Sequence, residues 1–354
     1  MEAALLNMMY AAVIHRHGGP EVISYEEFAR PEPGPGEALI RVRATSLNRL
    51  DLWARSGPPG PVFPWKEPDF PIISGSDCAG EVAAVGPGVA GVRPGQRVVL
   101  YPSLYCGQCA YCQAGEQTQC LDYHIVGEHT HGAMAEYVVA PAANLLPLPD
   151  HVHFVEAAAM PVAYTTAWRM LVVAGNLRPS QSVLVLGAGG GVGSAAILLA
   201  RRAGATVYAA ASTSLRRDVA IETGAKAAVD PAAGPFSEWV LTQTSGRGVD
   251  VVVDPLGATW QESIRSLARG GRLVVCGATL GNRPEFDIRE VYQRHRSIHG
   301  APMGNWTDFT NVMNLLFRGE LSPAIDHVYP LSQVVAAHRR AESRDGFGKI
   351  VLTM

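Results

Sequence analysis

One stretch constrains this chain more than any other: Gln181 to Ser212, QSVLVLGAGGGVGSAAILLARRAGATVYAAAS. It opens with an apolar run of strand length, Val183 to Leu186, then turns through Gly187, Gly189, Gly190, Gly191 and Gly193. Helical periodicity follows from Val192 to Arg202, with Gly204 placed to end the helix. Thr206 to Ala211 reads as a second strand. Strand, glycine turn, helix and strand is the order of a dinucleotide-binding unit. Glycines let the backbone turn tightly and approach a pyrophosphate. The helix start, Gly191 and Val192 included, presents unpaired N–H groups to the phosphate charge. Ala188 falls where the first glycine of G-x-G-x-x-G would stand, so the series is G-x-x-G-x-x-G: Gly187, Gly190, Gly193. A surface loop is also glycine-rich. The position between a buried-looking strand and a helix is what points to a nucleotide.

The end of the second strand bears on which nucleotide. An NAD site wants Asp or Glu there, to bond the ribose 2′-hydroxyl. This strand ends Ala209-Ala210-Ala211-Ser212-Thr213 without an acid, and Arg216 and Arg217 follow within a turn. Hydroxyls and guanidiniums suit a 2′-phosphate through charge-assisted hydrogen bonds. The expectation is NADPH, held by Ser212, Thr213 and Arg216. The competing reading is that both arginines are solvated helix-face residues.

A length of 354 residues suits two domains. With 47% hydrophobic and 17% charged residues, a substantial core is affordable. A net charge of -3 argues against a nucleic-acid surface. No apolar run reaches transmembrane length, and the apolar start MEAALLNMMYAAV lacks a basic region, so it is a poor secretory signal. Met9 is an alternative start, with the residues before it an extension. The expectation is a soluble cytoplasmic protein that binds neither nucleic acid nor membrane.

Of six cysteines, four crowd into fifteen residues as C-x2-C-x2-C-x7-C: Cys106, Cys109, Cys112 and Cys120. In a reducing compartment such clustering points to metal rather than disulfides. Four thiolates close a tetrahedral Zn²⁺ shell and leave no open position for substrate, so the reading is a structural zinc. An iron–sulfur cluster is disfavoured, since no following Pro or second cysteine set accompanies the run. Glu128, His129 and His131 come next; the two histidines alternate as if on one strand face. They read as a hydrogen-bonded loop rather than a second metal set.

From Tyr10 to about Asp150 the chain reads as β-rich, with short apolar runs punctuated by Gly and Pro. Asn48 to Arg55 reads as a short helix, and Phe154 to Met170 as a longer one. Beyond Ser212 a βα rhythm continues through Ala227 to Val229, Val249 to Val253, a helix over Trp260 to Ala268, and Arg272 to Cys276. Such alternation argues a parallel sheet covered on both faces. Ligands then sit near Asp254-Pro255 and Gly277-Ala278, at strand C-terminal ends. A helix over Trp306 to Phe317, a second capped by Ser332, and a closing strand Lys349 to Leu352 complete the chain. That strand is too far from the βα series to extend it simply.

These features resemble the medium-chain dehydrogenase/reductase superfamily. The resemblance rests on Gly75-Ser-Asp-Cys-Ala-Gly80-Glu-Val-Ala-Ala-Val-Gly86, PGQRV at Pro94 to Val98, the cysteine lobe, the glycine turn and the closing FGKIVL. It implies an α/β chain: a GroES-like β-rich substrate domain with a zinc lobe over 1–154, a doubly wound Rossmann domain over 155–299, and a return to the first domain over 300–354. Zinc alcohol dehydrogenases of this superfamily hold a catalytic zinc at positions where this chain has Asn48, Ser76 and Val162. None is a good zinc ligand, and Asp51 and Asp77 alone make a poor site. In this respect the chain resembles the zinc-free quinone oxidoreductase branch, which usually lacks the cysteine lobe kept here.

Without a Lewis acid, an unactivated ketone is a difficult substrate. A quinone, enone, enal or enoyl thioester takes hydride at carbon and spreads the charge to oxygen, so positioning and hydrogen-bond donors do much of the work. Asn48 and Tyr164 are the favoured donors by the resemblance, with Tyr101 behind them. A core aromatic is the competing reading of Tyr164. The resemblance also places Thr166 against the nicotinamide and the Gly277-Ala278 backbone at its carboxamide. The expectation is an NADPH-dependent reductase with one structural zinc, acting on a small molecule, as a homodimer or homotetramer. Two alternatives stand beside it: an alcohol dehydrogenase with unusual ligands such as Asp51, Asp77 and His129, and an NADPH-binding protein with little turnover.

Overall fold

A computed structural model describes residues 7–57 and 70–354. The extension expected before Met9 therefore falls largely outside the described residues. The chain divides into two compact units: Met1–Val162 with Asn305–Ser343 and Lys349–Met354, and Ala163–Gly304 with Arg344–Gly348.

In the first unit the strand Glu37–Ser46 organises a seven-stranded sheet. On one side it pairs with Ala79–Val85, which leads on through Arg97–Leu100 to Leu145–Pro147. On the other it pairs with Tyr137–Pro141 and, near its end, with Lys349–Thr353. The last pairing is antiparallel, with Leu352 opposite Thr45. Ile325–Pro330 adds to the outer side of Lys349–Thr353 in parallel. So the closing strand does return to the β-rich unit, and it lies inside the sheet. A smaller sheet joins Ile23–Ala29, Met8–Ile14 and Ile72–Ile73. Its core packs Ile14, Ile73 and Met134 against Leu331, Val334 and Leu352.

The short helix Arg49–Ser56 follows the central strand. Asp51, three residues in, accepts the Asn48 backbone N–H at 2.7 Å, which satisfies one donor at the helix entrance. At its other end Arg55 is buried, donating to Glu342 and, at 3.3 Å, to His338 Nδ1 of the helix Val334–Ser343.

The second unit is a six-stranded parallel sheet. Its strands in chain order are Ser182–Leu186, Thr206–Ala210, Ala227–Val229, Val249–Asp254, Leu267–Val275 and Ser297–Gly300; in space they run 3-2-1-4-5-6. That order is the doubly wound dinucleotide-binding topology, and the connection reverses between Ser182–Leu186 and Val249–Asp254.

Three local expectations change. The helix over Phe154 to Met170 is interrupted: Phe154–Ala158, then Pro161–Trp168, then a wider π turn over Arg169–Ala174. Pro161 lacks an N–H and suits a helix start, so the chain begins a new helix there. The helix at Trp260 ends at Arg265, and the next strand already begins at Leu267 and runs through Gly270 and Gly271. Leu331–Gln333 forms a 3-10 turn ahead of Val334–Ser343, so Ser332 lies within that turn and does not cap the helix. Among the described residues no helix is long and apolar enough to cross a membrane.

Candidate functional site

The glycine turn occupies the C-terminal end of Ser182–Leu186 and opens the helix Gly191–Arg202. Gly187 has φ +61°, where a side chain is disfavoured. A Cβ on Gly193 would meet the Gly187 carbonyl oxygen at 2.3 Å, so helix and turn are in close contact there. Gly190 differs: its nearest neighbour to a Cβ is Gly187 O at 3.5 Å. Packing within the protein does not require glycine at 190. The space left open there suits a ligand backbone, and no side chain caps the helix start, as at a phosphate site. Gly191, Val192 and Gly193 form its first turn.

At the end of Thr206–Ala210 the chain turns into the helix Ser214–Thr223. Thr213 caps it, its hydroxyl oxygen accepting Arg216 N–H at 3.3 Å, and Ser212 is exposed. The two arginines part ways. Arg217 donates to Ala211 O at 2.9 Å and to Asp230 at 3.0 Å, which ties it to the sheet. Arg216 turns to the glycine turn, and its Nε donates to the Gly346 carbonyl at 2.7 Å. Gly348 N–H in turn donates to Gly189 O at 3.1 Å.

The other strand ends expected near a ligand are also built together. Asp254 is fully buried and accepts Leu256 N–H at 2.8 Å and Gly257 N–H at 3.0 Å. Burial raises its carboxyl above the usual range, and these N–H groups oppose that. The loop so fixed meets the loop carrying Gly277 and Ala278, with Leu280 N–H donating to Leu256 O at 2.9 Å. Thr166 is buried with its hydroxyl 3.7 Å from Met303 sulfur. Tyr164 has 0% exposure. Tyr101, in the first unit, is equally buried, among Trp306 and Phe309.

In the first unit the sequence-predicted donor Asn48 lies in a cluster that sequence reasoning did not assemble. Asp77 is fully buried. Its Oδ1 accepts Val162 N–H at 2.8 Å; its Oδ2 accepts the Ser46 hydroxyl at 2.5 Å, Asn48 Nδ2 at 2.8 Å and Lys349 Nζ at 3.1 Å. Lys349 is 2% exposed and also donates to Leu47 O at 2.7 Å and to Asn48 Oδ1. Three N–H donors of the ammonium thus meet three acceptors. Asp51 accepts Gly75 N–H at 2.8 Å with one oxygen and Asn48 N–H with the other. Burial pushes its carboxyl up to about 7. Asn48 itself is half-buried. The signal for this cluster in the sequence is a lysine that opens an apolar run, KIVL.

The four cysteines converge. Their sulfurs lie within 4.8 Å of one another, with Cys106–Cys112 at 3.9 Å, Cys109–Cys112 at 3.5 Å and Cys106–Cys120 at 3.5 Å. Thiolates bound to one zinc at about 2.3 Å stand about 3.8 Å apart at tetrahedral corners, so the set fits Zn²⁺. Backbone N–H groups of Cys106 and Asp122 point at Cys120 sulfur, and that of Cys109 at Cys106 sulfur. N–H groups of Cys112 and Leu121 pull the Cys109 thiol down to about 6.

Among the described residues this is the one group of three or more His, Cys, Asp or Glu side chains placed to share a metal. Asp51, Asp77 and His129 are not brought together as a ligand set. His129 Nδ1 instead accepts Ile125 N–H at 3.1 Å, and His131 Nδ1 accepts Ile73 N–H at 3.3 Å. His129 sits in a turn and His131 lies just beyond it, so the two do not share a strand face.

Comparison with known proteins agrees with this architecture. Residues 34–150 match the alcohol dehydrogenase GroES-like domain, and 191–318 match the zinc-binding dehydrogenase family. An NAD-dependent alcohol dehydrogenase from Sulfolobus acidocaldarius is 30% identical over 97% of this chain and 99% of its own. The chain belongs to the medium-chain dehydrogenase/reductase superfamily. Members are NAD(P)-dependent oxidoreductases, and so is this chain. Its relatives in the superfamily differ in chemistry. A crotonyl-CoA carboxylase/reductase from Cereibacter sphaeroides is 30% identical over 94% of this chain and 84% of its own. A solved NAD-dependent alcohol dehydrogenase superposes with a TM-score of 0.90 at 39% identity, covering 98% of this chain and 100% of that one.

Proposed function

We propose that this superfamily member uses NADPH to reduce a quinone or an activated C=C bond: an enone, an enal or an enoyl thioester. One observation carries the reading. Asp77 and Asp51 are both taken up by hydrogen bonds within the protein, and the Asn48 amide beside them is only partly buried. An amide N–H is a donor for a developing oxyanion and is not a Lewis acid, which suits a conjugated acceptor better than an alcohol. The relatedness to a crotonyl-CoA carboxylase/reductase supports the same class.

NADPH, when bound, supplies the hydride. The N–H groups of Gly191 to Gly193 would hold its pyrophosphate, and Ser212, Thr213 and Arg216 would take the 2′-phosphate. Thr166 and the Gly277-Ala278 backbone orient the nicotinamide end. As the acceptor's β carbon gains a C–H bond, its π electrons move to oxygen, and Asn48 Nδ2–H stabilises that charge. A proton from water completes the reduction. Tyr164 is fully buried, and no donor role is assigned to it.

Cys106, Cys109, Cys112 and Cys120 hold one structural zinc. The reduced thiols it requires go with a cytoplasmic location. Ser297–Gly300 pairs on one side alone among the described residues, and a two-fold copy extending that edge is the simplest homodimer.

The second reading is an alcohol dehydrogenase, favoured by the 39% identity to a solved enzyme of that name. Steady-state assays separate the two. Crotonyl-CoA, trans-2-hexenal and 1,4-naphthoquinone are tested with NADPH and NADH, and ethanol, benzyl alcohol and cyclohexanol with both oxidised cofactors. Turnover of an acceptor with NADPH supports the first reading. Alcohol oxidation with NAD⁺, and no acceptor reduction, overturns it.

A further inference from the structure

A lysine that buries its ammonium on a strand inside a sheet needs a reason, because desolvating a charge is costly unless every donor is met. Here the ammonium is met by the Asp77 carboxylate, the Leu47 carbonyl and the Asn48 amide oxygen. Leu47 and Asp77 would be enough to anchor a structural ion pair. The third contact is what bears on chemistry.

The Asn48 amide is held between opposite charges. Its oxygen faces the Lys349 ammonium, and its nitrogen donates to the Asp77 carboxylate at 2.8 Å. Turning the amide over would set oxygen against carboxylate and NH₂ against ammonium, so the ion pair fixes which end is which. The charges also act on the donor in opposite senses. A carboxylate accepting one N–H pushes electron density back onto the amide, while a cation at the oxygen draws it away and keeps the other N–H a strong donor. That other N–H makes only a long contact, 3.4 Å to Ser46 O, which a substrate oxygen can replace.

We propose that Lys349 is a positioning residue for the reduction: acting through Asn48 Oδ1, it fixes and polarises the amide whose Nδ2–H meets the oxyanion. The inference rests on the reading of Asn48 given above, and its test separates the two.

Three variants are compared with the wild type: Asn48→Ala, Lys349→Met and the double change. Each is assayed with 1,4-naphthoquinone and crotonyl-CoA, and crystal structures of the wild type and Lys349→Met are solved. Methionine keeps the stem and removes the ammonium. Asn48→Ala is expected to lower kcat on the order of 10²-fold, as loss of one oxyanion donor does. Lys349→Met is expected to lower kcat about tenfold by weakening that donor, with the KM for NADPH unchanged. The double variant is expected to be no slower than Asn48→Ala alone, and the Asn48 amide oxygen in the Lys349→Met crystal to have turned away from its wild-type position.

A Lys349→Met enzyme with wild-type kcat and an unmoved Asn48 overturns the proposal. So does a double variant whose losses multiply, because two independent roles give that result. Wild-type kcat in Asn48→Ala overturns the reading of Asn48 itself, and an amide displaced in the crystal then leaves Lys349 an architectural role only. If Lys349→Met does not fold, Lys349→Met with Asp77→Asn removes both charges at once, and the same kinetic loss and displaced amide are expected.

Discussion

Arg216 lies across the backbone of Gly189. A Cβ built on that glycine would stand 2.5 Å from Arg216 Cδ, and Arg216 Nε is held by the Gly346 carbonyl at 2.7 Å. Gly189 therefore serves the arginine's path as much as the turn. Gly189→Ala is expected to push Arg216 aside and weaken NADPH binding by about 10- to 100-fold, the worth of a charge-assisted bond to phosphate. NADH binding is expected to change little. Fluorescence titration of both cofactors checks this, with Arg216→Ala alongside. Equal losses for NADPH and NADH would mean that Gly189 serves the pyrophosphate; no change of preference in Arg216→Ala would remove the 2′-phosphate assignment.

The cysteine lobe predicts about one zinc per chain by metal analysis, given four ligands and a closed shell. Removing it with a strong chelator is expected to expose four thiols to a thiol reagent and to lower the melting temperature. Cys120→Ser is expected to lose the metal at lower chelator concentration than the wild type. Two zincs per chain, one surviving Cys120→Ser, would revive a catalytic metal and with it alcohol oxidation.

Asp77 and Lys349 form a buried pair, 0% and 1% exposed at the side chain. Removing one charge strands the other. Asp77→Asn is expected to cost about 3–5 kcal/mol of folding stability, read as a fall in the urea midpoint. A midpoint within error of the wild type would show that water reaches the ammonium.

His338 supplies a pH dependence. Burial, with the Arg55 guanidinium beside it, depresses its imidazole from 6.5 to about 3. The unfolded chain then binds a proton between these values that the folded chain refuses. Stability from this group is complete above about pH 6.5 and is lost as pH falls toward 3, at about 1.4 kcal/mol per unit. His338→Gln keeps an acceptor for Arg55 and does not titrate. Its urea midpoint is expected to fall less than the wild type's between pH 7.5 and pH 5; parallel curves would mean that the imidazole is accessible in the folded state.

The nucleotide unit was legible because its signals are local. Gly187, Gly190 and Gly193 sit within seven residues, and the strands that follow are continuous apolar runs as buried parallel strands must be. The zinc lobe was legible for the same reason, four ligands at short spacing. The return of Lys349–Thr353 to the first unit was legible as a strand left over from the βα count and as what the family resemblance implies. What the sequence hid is non-local or depends on burial. Lys349 meets Leu47 across 302 residues, and no periodicity reports such a pairing. Tyr164 and Arg217 were legible as polar groups, but their accessibility is set by packing and by Asp230. Pro161 marks the break between Phe154–Ala158 and Pro161–Trp168, but the apolar pattern on either side is continuous enough to read as one helix.

The place of Lys349–Thr353 inside its sheet sets an order of assembly during synthesis. Residues 182–300, which carry all six strands of the parallel sheet, leave the ribosome before this strand exists. The nucleotide fold can close while Glu37–Ser46 still waits for the neighbour that will cover its far end. Until that neighbour arrives, the Asp77 carboxylate has no ammonium and the Asn48 amide oxygen lacks the lysine's contact. In a nascent chain the polar cluster beside Asn48 can therefore be completed only after every strand of the parallel sheet has been made.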